Sequence, residues 1–68
     1  MKLELEKNFT YHPPTPEQKV KYNNIRDMAH QYAEYLYDNC PESRELSLAL
    51  TKLEECVMWA NASIARNS

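Results

Sequence analysis

The run LSLALTKLEECVMWANASI, residues 46–64, decides how this chain folds. Leu46, Leu50, Leu53, Val57, Ala60 and Ile64 recur at steps of four and three without a break. That spacing winds one apolar stripe along an α-helix, in the manner of a coiled-coil seam. A helix with one stripe must bury it against something. Just upstream, Cys40 precedes Pro41, whose ring disfavours helical backbone at the residue before it while suiting the first turn of a new helix. Glu42 and Glu45 then complement the positive end of the helix dipole. The second helix, helix B, is expected over residues 41–66.

The partner lies before the turn. Thr15, Pro16 and Gln18 make a helix start: a threonine N-cap, a proline at the first position and a glutamine able to close a capping box. Ile25, Met28, Ala29, Tyr32, Ala33, Leu36 and Cys40 then follow at amphipathic spacing, predicting helix A over residues 16–39. Two helices of this length, each ~36 Å long and joined by a minimal turn, form an antiparallel hairpin. The expected fold is therefore all-α, a single domain of two helices preceded by an arm over residues 1–14. Within the arm, KLELE reads equally as a strand or a frayed helix, whereas YHPP is extended because Pro13 and Pro14 restrict their own backbone and that of the residue before.

At 68 residues the chain is thin. Domains of this size bury only ~60% of their unfolded surface, and one small core rarely supplies more than ~3–5 kcal/mol. Leu48, Met58 and Trp59 on helix B, with Tyr35 and Tyr37 on helix A, fall outside the seam. Apolar residues left over by an intramolecular interface point to a homo-oligomer. With two cysteines and no secretory leader at its start, the chain is expected in a reducing cytoplasm. No apolar run approaches the ~20 residues of a membrane span.

The net charge of −2 argues against a DNA or RNA partner, since such affinity rests on phosphate neutralisation. It leaves room for a small anion held in a local cationic pocket. Glycine is absent, which removes phosphate-cradling loops of the P-loop and Rossmann kinds.

In an antiparallel hairpin that turns near residue 40, the start of helix A lies beside the end of helix B. Tyr11, His12 and the first turn of helix A are thereby expected near Asn61, Ile64 and Arg66. Lys19, Lys21 and Arg26 occupy the first three turns of helix A, and Tyr22 shares a face with Arg26 at four-residue spacing. Aromatic surface, cations and helix-start amides together suit a base-plus-phosphate ligand. Each residue also has an ordinary structural role. Tyr11 can staple the arm to the helix, lysines at helix starts are commonly solvated, and Arg66 is a favourable charge at a helix C-terminus.

The remaining candidates carry less. His12 and His30 are far apart in the hairpin and are not read as ligands of a metal site, so neither metal nor cofactor is expected. Cys40 and Cys56 stand ~22 Å apart along the hairpin and cannot bridge within one chain. Adjacent Glu54 and Glu55 do not make a catalytic pair, and no nucleophile, base and orienting group come together. The expectation is a binding protein, not an enzyme.

FTYHPP, IRDMAHQYA, CPESRELSLALTKLEE and VMWANASIARN together resemble the phage anti-CBASS sponges, a family whose helical hairpin is shared with a sponge directed against Thoeris defence. The resemblance runs from Phe9 to Asn67. It implies a homohexamer of two-helix hairpins in the host bacterial cytoplasm. It also implies binding, without cleavage, of cyclic dinucleotides such as cGAMP and, as in many members, of cyclic trinucleotides at a separate site. Tyr11 and Arg26 match the arm tyrosine and early basic residue that hold the dinucleotide in such proteins, and Arg66 is the candidate for the second pocket. The competing reading is a protein-binding adaptor or inhibitor anchored by Trp59, Met58 and the tyrosines.

Overall fold

A computed structural model describes residues 2–11 and 13–67, which form α1 (Lys2–Phe9), α2 (Pro16–Asn39) and α3 (Arg44–Asn67). There is no strand among the described residues. The choice left open at KLELE resolves as helix. A strand needs a neighbour to satisfy its backbone, and the described residues offer none, whereas lysine, leucine and glutamate are good helix formers. The Thr10 amide donates to the Glu6 carbonyl at 3.0 Å as α1 ends, and the two prolines prevent any continuation.

α2 starts as its residues dictate. The Thr15 hydroxyl accepts from the Gln18 amide at 3.1 Å, and the Gln18 Oε1 accepts from the Thr15 amide at 3.0 Å, closing the capping box. At the other end Cys40 is extended (φ −114°, ψ 138°), as a residue before proline should be, and its amide reaches back to the Leu36 carbonyl at 2.9 Å.

The start of the second long helix differs from expectation. It opens at Arg44, not at Pro41. Proline suits a first turn but supplies no cap. Ser43 supplies one: its hydroxyl accepts from the Leu46 amide at 3.1 Å, and its carbonyl takes the Ser47 amide as the first intrahelical bond. The same hydroxyl donates to the Pro41 carbonyl at 3.1 Å, which ties the turn over residues 40–43 to the cap.

α2 and α3 pack antiparallel along the anticipated seam. Leu46 is buried, and Leu50, Leu53, Val57, Ala60 and Ile64 are half-buried against Ile25, Ala29, Ala33 and Leu36. Met28, Tyr32 and Cys40, expected in the stripe, are exposed instead, Met28 to 71%. The reason is helical geometry. At about 100° per residue, Met28 and Tyr32 stand roughly 60–100° to one side of Ala29, and a single hairpin has no third layer to cover that side. Tyr22 and Gln18 prolong the covered stripe in their place.

The result is a slab of 45 × 27 × 12 Å, about one helix thick. Its radius of gyration is 15.0 Å, against about 11 Å for a compact domain of this length. One side chain in the described part of the chain, Leu46 at 6% exposure, counts as buried core.

Candidate functional site

The open end of the hairpin is held by side chains from three segments. Gln18 Nε2 donates to the Ile64 carbonyl at 3.4 Å, joining the cap of α2 to the last turns of α3. Lys7 Nζ donates to Asn67 Oδ1 at 3.3 Å, bringing α1 to the same end. Tyr11 lies between these two anchors and is 80% exposed, so its ring packs little in the single chain. His12 lies outside the described residues.

Asn61 is half-buried, and its Oδ1 is sealed from water with no hydrogen-bond donor among the described residues. Arg66 is half-buried too, although it stands about 180° around α3 from Val57, on the side away from α2. Ala62 and Ala65, also off the seam, are half-buried as well, near the point where Lys7 of α1 reaches Asn67.

The five described candidate residues thus do not gather at one point. Tyr11, Asn61 and Arg66 belong to the open end. Lys21 and Arg26 are both exposed, but five residues separate them by about 140° around α2, so they serve opposite faces of the slab.

Arg26 overlooks a feature that sequence reasoning missed. On its face of the slab, α2 and α3 leave a groove of about 380 Å³. Its floor is apolar, from Ala29 and Ala33 on one helix and Leu50, Leu53 and Val57 on the other. Arg26 and His30 form one rim and Glu54 the other. The signal was present in the spacing, since Arg26 and His30 are four apart and Glu54 is one turn from Val57. Reading it required knowing that two alanines face three branched residues and leave the space open. His30 Nδ1 approaches Glu34 at 3.5 Å, and beyond it a further hollow, lined by Glu34, Tyr37 and Asp38, continues towards the turn. On the outer side of α3, Met58 and Trp59 remain exposed beside Glu55, which pairs with Lys52 at 3.5 Å.

Among the described residues no three His, Cys, Asp or Glu side chains gather as a metal site would need. No helix there is long and apolar enough to cross a membrane.

A family model described as "Acb2/Tad1, hairpin domain" matches residues 1–65. The chain belongs to the Acb2/Tad1 hairpin family. Neither the curated proteins nor the solved structures give a match. The Acb2/Tad1 family is known for cyclic-nucleotide sponges, proteins that act by binding. The open-ended hairpin and its cation-rimmed groove are therefore the features of an Acb2/Tad1 member on which a ligand reading has to be built.

Proposed function

We propose that this chain is a phage immune-evasion protein that sequesters cyclic di- or trinucleotide messengers, such as cGAMP, without cleaving them, in the cytoplasm of its bacterial host. Membership of the Acb2/Tad1 family carries the reading. The chemistry of the site supports it: Arg26 offers a charge-assisted contact to phosphate, and the apolar groove beside it and the exposed Tyr11 ring offer surfaces for bases. A sponge needs no catalytic group. It removes a messenger by holding it, and so blocks the effector that CBASS signalling would switch on.

The functional unit is a homo-oligomer, a hexamer by family resemblance. The lone hairpin exposes 5883 Å², where a compact monomer of 8.0 kDa exposes about 4,450 Å². The difference, roughly 1,400 Å², exceeds the ~800 Å² that each partner buries in a standard interface. Site geometry points the same way. Arg26 lies about 16 Å along α2 from Thr15, whereas Tyr11 falls in the segment between Lys7 and Gln18, both of which bond to the end of α3. A small ligand gripped by both residues is more readily served by Tyr11 of one copy and Arg26 of another.

The competing reading, a protein-binding adaptor, draws on Trp59, which is 60% exposed beside Met58. A thermal-shift panel separates the two. A ligand that binds only the folded state raises the melting temperature by mass action. Cyclic di- or trinucleotides at micromolar concentration should stabilise a sponge. A flat response across the panel sinks the sponge reading and favours the adaptor.

A further inference from the structure

Resting on the sponge reading, we propose that Glu54 is a specificity-determining residue: the Arg26 groove takes a guanine-bearing nucleotide, with phosphate on Arg26 and the guanine edge on Glu54. The two side chains stand on opposite rims of one apolar groove. At about 380 Å³ the groove falls at the small end of ligand pockets, which run from about 300 to 1,000 Å³, and suits one nucleotide of a cyclic pair.

Charge fixes which way the nucleotide lies. Lys19 is seven residues before Arg26, within about 20° of it around α2, so the face is cationic towards the open end. Towards the turn it becomes acidic, with Glu34 and Asp38 lining the adjoining hollow. Phosphate is repelled from the acidic part and drawn to Arg26. The base is left to cross the floor towards α3. Since Gln18 stands opposite Ile64, an antiparallel register brings Glu54 to about the level of Met28 and Ala29, within a turn of Arg26.

Glu54 is also available. The ion pairs among the described residues are His30 with Glu34 and Lys52 with Glu55, and Glu54 takes part in neither. An ionised carboxylate only accepts hydrogen bonds. Guanine presents two adjacent donors, the ring N–H and the exocyclic amine, and these match the two carboxylate oxygens in a bidentate pair. Adenine presents one donor beside a ring-nitrogen acceptor, so one carboxylate oxygen would face a lone pair. A site built to satisfy hydrogen-bonding groups rejects the analogue that leaves them unpaired.

The test is calorimetric titration of the full chain and of Glu54→Gln with cyclic di-GMP and with cyclic di-AMP. Glutamine keeps one acceptor and adds one donor, which complements adenine. The parent should prefer cyclic di-GMP. Glu54→Gln should lose at least about tenfold for cyclic di-GMP, the scale of one charged hydrogen bond, while holding or gaining cyclic di-AMP. A parent that prefers cyclic di-AMP overturns the proposal, as does a variant that binds both ligands like the parent or weakens both equally. In those cases the sponge reading still stands. If the parent binds neither ligand, the Glu54 proposal falls, and the thermal-shift panel decides whether the sponge reading falls with it.

Discussion

Gln18 Nε2 donates to the main-chain carbonyl of Ile64 at 3.4 Å while the same side chain's Oε1 accepts from the Thr15 amide at 3.0 Å. One glutamine therefore caps α2 and ties it to the last turns of α3. Local and tertiary structure share a single residue at the end of the slab where the arm arrives.

Substitutions at Gln18 separate its two roles. Gln18→Ala loses both, and should cost about 1–2 kcal/mol, a melting shift of several degrees in a domain this small. Gln18→Glu keeps the capping acceptor but has no donor for the Ile64 carbonyl, and should melt between the parent and the alanine variant. If Gln18→Glu melts with the parent, the bond across the hairpin contributes no more than the charge–dipole gain of a glutamate in a first turn.

Assembly is readable by light scattering. At micromolar concentration the mass should be several times 8.0 kDa, and about 48 kDa for six copies of 8.0 kDa. Met28→Glu should reduce it. Met28 is 71% exposed in the lone hairpin, so a charge there harms nothing within one chain. A change in mass without loss of helix content would report the contact between copies. A well-folded monomer in the parent would remove any site shared between chains.

Tyr11→Ala and Arg26→Ala test the ligand contacts. The first removes a stacking surface worth ~1–3 kcal/mol per base, the second a charge-assisted phosphate contact. Each should weaken cyclic dinucleotide binding at least about tenfold, since ~1.4 kcal/mol is one decade of affinity. Both residues lie outside the hairpin seam, and the mass of the assembly should not change. If Tyr11→Ala binds weakly only because the oligomer has come apart, the tyrosine is a staple and not a ligand contact.

Chemistry is checked on the ligand itself. A cyclic dinucleotide incubated with the protein and released by heating should be recovered intact. Linearised product would reveal a catalytic group that the sponge reading does not provide.

Most of the fold was legible in the chain because its signals are local or strictly periodic. Thr15, Pro16 and Gln18 specify a helix start through bonds across three residues. The steps from Leu46 to Ile64 specify a stripe that survives in the structure residue by residue. The turn was visible in Cys40–Pro41, but the start of α3 was not. Pro41 and Ser43 both qualify as helix starters, and the hydrogen bond from the Leu46 amide to the Ser43 hydroxyl decides between them.

What only the tertiary structure decided concerns directions in space. That Lys21 and Arg26 diverge follows from helical geometry, yet it acquires meaning only once α3 is in place and the slab has two faces. Met28 and Tyr32 read as core because their spacing fits a stripe. They are exposed because two helices can cover only one narrow strip of each other. The groove between Arg26 and Glu54 joins residues 28 positions apart in the chain, and depends on Ala29 and Ala33 being too small to fill the space opposite Leu50, Leu53 and Val57. A periodic pattern determines which side of a helix is buried. Only packing determines what the uncovered sides face, because that depends on the register and sizes of side chains on two helices at once.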